Sequence, residues 1–277
     1  MLLFKRILNF KRDFLAKLRD KRRSSRFAVG PRFPLEARVN LTGSNLEGSK
    51  PGSGYDWGGK LFNISASGVG LQLLRAAATV RGERTELRLD LEDFRLVIPC
   101  VVAHYRTYPN YSVCGLELDF PDFDVQKAFL QLVEAVSTGA TLAPVASRPT
   151  GGGRSGLVRE QYRAANRACL SAWRDPKTRE LDSFELVMEH HSIRGSAADG
   201  SLEVRRSGKS DRVEAARDVD GEIRRLFRWI VPNAPKAVPA DLRALMERCA
   251  ASTGRPARDT GSRSSSPTQW QAPASRH

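Results

Sequence analysis

The chain has 277 residues, 40% hydrophobic and 8% aromatic, enough for one or two ordinary domains of a soluble protein with flexible parts. Its net charge of +14 calls for an anionic partner: nucleic acid, a phosphate-bearing small ligand or an acidic membrane surface. No stretch approaches the roughly eighteen apolar residues of a transmembrane helix, and the N-terminus lacks the apolar core of a signal peptide. Cys100, Cys114, Cys169 and Cys249 are scattered without a CxxC pair, which fits a reducing cytoplasm.

The charge is concentrated at the start. Residues 1–26 hold ten Lys/Arg against two Asp, a net +8, more than half of the excess in a tenth of the chain. Within this arm, Leu3, Phe4, Ile7, Leu8, Phe14, Leu15 and Leu18 fall on one face at 100° per residue, which predicts a basic amphipathic helix over 1–19. Such a helix can dock on the protein's own core, lie in a membrane interface or fill a partner's groove.

From about 27 to 120 the apolar period changes to two. "EARVNL", "GKLFNI", "GVGLQLL", "TELRLDL", "LVIPCVVAHY" and "YSVCGLELDF" read as short strands separated by turn signals such as Gly52-Ser53-Gly54 and Pro109-Asn110. Leu87, Leu89 and Leu91 alternate with Arg88, Asp90 and Glu92. Six such strands with no intervening helix predict a small antiparallel barrel, which closes its own edges. A helix follows at about 122–137, with Val125, Phe129, Leu132, Val133 and Val136 on one face and Asp122 or Asp124 as its cap.

Two polar stretches of this region are poor core material. "KRRSSR" at 21–26 carries Arg22, Arg23 and Arg26, and "NISASG" at 63–68 places Asn63, Ser65 and Gly68 in a short turn between two strands. Arg22 and Arg26 resemble the RxxxR element of PilZ domains, and Asn63, Ser65 and Gly68 resemble their (D/N)xSxxG element. The order of the two motifs, the strands between and after them and the closing "CGLELDF" are similar to that family over about 20–137.

The resemblance implies binding of cyclic di-GMP, in bacterial second-messenger signalling, and from the motifs of the chain no catalytic residue is expected. The chemistry of the residues agrees. Each guanine of that ligand presents O6 and N7 as paired acceptors, which a guanidinium fork bridges bidentately while also reaching phosphate; lysine could not do this as well. The resemblance places Arg22 and Arg26 on guanine edges and phosphates and Asn63 and Ser65 on the other guanine. Gly68 gives a tight turn or close backbone approach. Arg23 either supports the ligand or faces solvent.

From 138 to 156, "TGATLAPVASRPTGGGRSG" reads as a flexible linker. The module that follows, 157–250, is expected to be mostly helical, which makes the chain α+β. Leu157, Tyr162, Ala165, Cys169 and Trp173 predict a helix over 157–174. "FELVMEHHSIRG" and "GSLEVRRSG" read as a hairpin or as a helix followed by a strand. Helices are expected at 218–231 and, opened by Pro239, at 239–250, and the Ser/Arg/Pro-rich tail 251–277 is expected to be disordered.

Signs of catalysis are sparse. "SGKS" at 207–210 has Glu203 where a P-loop needs glycine. His190 and His191 are adjacent and point to divergent faces, so neither a metal site nor a cofactor is expected. Two functions stay open. One is a cyclic di-GMP receptor that signals by conformational change to a protein effector of unknown identity. The other is a basic adaptor with a ligand-free barrel, bound to an anionic membrane through 1–19 or to nucleic acid, the latter disfavoured by the lack of any helix-turn-helix, RNA-recognition or zinc pattern.

Overall fold

The computed structural model describes residues 25–43, 54–145, 156–189, 191–206 and 216–252. The helix expected over 1–19, Arg22, Arg23, most of the expected linker, His190, the SGKS stretch and the chain beyond Ser252 lie outside the described residues.

The six strands read from the two-residue period all form: β2 (Glu36–Leu41), β3 (Tyr55–Ser65), β4 (Gly68–Leu74), β5 (Arg84–Leu91), β6 (Phe94–Thr107) and β7 (Tyr111–Leu118). They run in the order β3-β2-β5-β6-β7-β4, and β4 pairs back onto β3, so the antiparallel sheet closes into a barrel. The cause is the alternation itself. Val39, Leu71, Leu87, Leu89, Ile98 and Val102 point inward and are fully buried, while Arg88 and Asp90 point out. A short strand that the sequence did not announce, β1 (Phe27–Ala28), adds to the far end of β3.

Helix α1 (Phe123–Ala140) opens where Asp122 Oδ1 accepts from the Val125 N–H at 2.8 Å, and it buries Phe129, Leu132, Val133 and Val136. It runs past the expected end. Thr138 and Gly139 are its buried last turn, and β8 (Ala143–Pro144) follows, so residues 138–145 are ordered structure where a linker was expected.

The helix expected over 157–174 is a β-hairpin. Strands β9 (Val158–Arg163) and β10 (Cys169–Arg174) pair in register, joined by a turn in which Arg167 takes φ +71°. The apolar spacing misled because Tyr162 and Leu170 face one side of the sheet and Cys169 and Trp173 the other. Strands β11 (Leu181–Met188), β12 (His191–Ser196) and β13 (Leu202–Arg206) extend a six-stranded antiparallel meander, β13-β12-β11-β10-β9-β8. Of the two readings open for this region, the hairpin is the one that forms. Both later helices stand, as α2 (Ala216–Ile230) and α3 (Ala240–Ser252), with a single 3-10 turn, Val231–Asn233, between them. The C-terminal module thus carries its expected helices on a sheet that fills its first half.

Helices α2 and α3 cover one face of this sheet. Phe227 stacks on Phe184 with ring centroids 5.7 Å apart. Arg174, at the end of β10 and with its side chain almost wholly buried, forks onto Asp241 of α3 at 2.5 and 3.0 Å and onto Glu160 at 3.1 Å. Those bonds hold the Asp241 carboxyl below the usual carboxylate range. Barrel and module share one continuous core. At their junction the β5–β6 turn meets α2: Arg228 grips Glu92 with two bonds of 3.0 and 2.7 Å, and Phe94 packs edge-on against Trp229 at 5.0 Å.

Phe227→Ala removes a fully buried ring from the sheet–helix contact. It is expected to lower unfolding stability by about 3–5 kcal/mol in a urea titration. A second expectation concerns pH. Burial, with repulsion from Glu189, pushes the Glu134 carboxyl of α1 up to about 7. The folded protein therefore holds this proton more tightly than the unfolded chain. The stability it contributes is fully present below pH 4.5 and is lost as pH rises through about 7. Glu134→Gln should be more stable than the wild type at pH 8, by about 1–3 kcal/mol. The gap should narrow toward pH 5, as followed by denaturant unfolding at both values.

Candidate ligand-binding site

Of the candidates in the basic lead-in, Arg26 alone is described, and the first strand follows directly after it along the end of β3. β1 pairs antiparallel with the end of β3, Phe27 opposite Ile64 and Ala28 opposite Asn63, and the pairing continues as the Val29 N–H donates to the Phe62 carbonyl at 3.0 Å. Continued by one residue, that register would set Arg26 level with Ser65. Side chains alternate across a sheet. Ile64 is fully buried in the barrel, so Asn63 and Ser65 belong to the outer face, and Arg26 and Ala28 share it. Arg26 is exposed and has no carboxylate partner among the described residues.

Strands β3 and β4 are joined by the two-residue turn Ala66-Ser67, with Ser65 opposite Gly68. The Ser65 hydroxyl donates to the Gly68 carbonyl at 3.0 Å and is buried, so its proton is used in closing the turn while its lone pairs stay open to a donor. Asn63 is half-buried, and its amide makes no hydrogen bond to the described residues, leaving an acceptor and two donors on the outer face. Gly68 is needed for close approach: a Cβ there would lie 2.6 Å from the Leu116 carbonyl oxygen of β7. It is not in a left-handed conformation, so of the two reasons for a glycine here, the tight turn or the close approach, the second holds.

Three residues of this face escaped the sequence reading. Gly70, opposite Asn63, leaves the room that the Asn63 side chain occupies, since a Cβ would stand 2.7 Å from its Oδ1. Gly115 of β7 lies opposite both Gly70 and His104, and the His104 ring lies across it. One row across the barrel wall therefore reads Asn63, Gly70, Gly115, His104, with a flat polar side chain at each end leaning over glycine. The signal was present in "SGVG" and "CGLELDF", where glycines interrupt strands that otherwise favour bulky residues. A separate groove of about 710 Å³ opens farther along β3, over Gly58 and Gly59, and holds none of the motif residues.

The face formed by Arg26, Asn63 and Ser65 offers an unpaired guanidinium, an unengaged amide and a hydroxyl acceptor, and that donor set suits an anion carrying hydrogen-bonding bases. No group of His, Cys, Asp or Glu among the described residues could hold a metal ion. Among the same residues no helix is long and apolar enough to cross a membrane.

No curated protein matches the chain. The model of the PilZ domain family does match, over residues 20–135, a span that takes in both motifs, the whole barrel and most of α1, and this part of the chain is a PilZ domain.

Proposed function

We propose that the chain is a cyclic di-GMP receptor whose PilZ domain takes the dinucleotide on the outer face of β1, β3 and β4. PilZ domains are a cyclic di-GMP-binding family. The observation that supports the reading for this chain is the β1–β3 pairing, Phe27 with Ile64 and Ala28 with Asn63, whose register continued by one residue would bring Arg26 level with Ser65. Arg22, one RxxxR step before Arg26, supplies the second guanidinium. Each fork bridges O6 and N7 of a guanine and reaches a phosphate, while Asn63 and Ser65 meet the edge of the other base. Arg23 contributes charge to the same lead-in.

Binding neutralises an arm whose cations repel one another. Charge-assisted hydrogen bonds to the ligand replace that repulsion. The signal passed to an effector protein is this change in the lead-in and in whatever packs on it. Catalysis has no part in the reading.

A calorimetric titration of the full chain with cyclic di-GMP tests it. Arg22→Ala and Arg26→Ala should each weaken binding by about 1–3 kcal/mol, a factor of roughly five to over a hundred. Asn63→Ala should weaken binding while leaving the thermal unfolding midpoint unchanged, because its amide makes no hydrogen bond to the described residues. Wild-type affinity in both arginine variants would remove the site from this face.

A further inference from the structure

The lead-in that carries Arg26 is not held by the barrel alone. Four residues beyond Arg26, the Gly30 N–H donates to Asn233 Oδ1 at 2.7 Å, across 203 positions of sequence. Asn233 closes the 3-10 turn that follows α2 and is 4% exposed. Its other amide atom, Nδ2, donates to the Trp229 carbonyl at 2.7 Å. The side chain thus uses an acceptor toward the lead-in and a donor toward the end of α2. No apolar residue could do both, and burial makes an unmade bond costly on either side.

Three surrounding positions are shaped to keep it there. A Cβ on Gly30 would run into the Pro232 carbonyl, so the lead-in lies directly on the 3-10 turn. A Cβ on Gly139 of α1 would stand 2.7 Å from Asn233 Cβ and would run into the Ile230 carbonyl, so α1 is equally close behind. On the barrel side, Val29 is bonded to Phe62. Gly30 and Val29 thus fix two successive points on the chain. From Gly30 to Arg26 is about 13 Å of extended backbone, all aimed by those two anchors.

We propose that Asn233 is a positioning residue of the dinucleotide site: it seats the lead-in so that Arg26 meets the ligand beside Asn63, and the C-terminal module is therefore part of the receptor's binding apparatus. The inference rests on the cyclic di-GMP reading of that site. By linkage the converse holds: ligand that fixes Arg26 also tightens the docking of the 3-10 turn and α2, which gives the C-terminal module a direct route for reading ligand occupancy.

The test is a double-mutant cycle in the full chain, titrated calorimetrically with cyclic di-GMP and accompanied by hydrogen exchange without ligand. Asn233→Ala should weaken binding about tenfold and speed exchange at 26–30 while 84–102 of the barrel exchanges as before. In the Asn233→Ala background, Arg26→Ala should lose most of its own effect, because the arginine is no longer aimed, while Asn63→Ala keeps its full effect. Gly30→Ala, which unseats the lead-in with Asn233 intact, should reproduce this pattern and serves if Asn233→Ala does not fold. Wild-type affinity in Asn233→Ala and Gly30→Ala would overturn the inference and leave the receptor reading standing. So would a weakening in which the Arg26→Ala and Asn63→Ala effects both persist unchanged, since that loss would be merely structural. Failure of the wild-type chain to bind cyclic di-GMP would overturn the receptor reading and this inference with it.

Discussion

Two residues of antiparallel pairing, Phe27 with Ile64 and Ala28 with Asn63, set how the lead-in lies along the end of β3. Continued by one residue, the register of that pairing would set Arg26 level with Ser65. A slip of one residue would turn Arg26 toward the barrel interior and Phe27 toward water. Such a short strand has little stability of its own. It persists because β3 is eleven residues long, enough to pair with β2 near its start and with β1 near its end. The Val29–Phe62 and Gly30–Asn233 hydrogen bonds then extend the alignment beyond the strand.

The same constraint explains why the two halves of the chain are packed so closely. Gly139 lets the end of α2 and Asn233 approach α1, Arg228 and Glu92 tie α2 to the β5–β6 turn, and Phe94 meets Trp229 edge-on. A loose module on a flexible tether could not hold Gly30 in place.

The barrel was legible because each of its strands has one wet face and one dry one, so Leu87, Leu89 and Leu91 announce themselves against Arg88 and Asp90. Helices α2 and α3 were legible for the same reason at a period of 3.6. The β9–β10 hairpin was not: "LVREQYRAANRACLSAW" mixes small and polar residues on both faces, and its turn depends on Arg167 at positive φ, a conformation that no residue type there advertises. Of the site, Asn63, Ser65 and Gly68 could be found from a compact motif on one turn, and Gly68 stands there for close approach to β7. Gly70 and Gly115 were marked only as glycines within strands, and their meeting with Asn63 and His104 was hidden, because it depends on which strands neighbour which. Asn233 gave no signal at all. Its role depends on a fold in which a turn near the end of the chain touches the segment just past its basic start.

The central claim, that ligand is held jointly by the lead-in and the β3–β4 turn, is tested most directly by hydrogen exchange of the full chain with and without cyclic di-GMP. Slowed exchange should appear together at 25–30 and at 62–70, with the same midpoint in ligand concentration. Protection at 62–70 alone, with 25–30 exchanging as in the free protein, would contradict it.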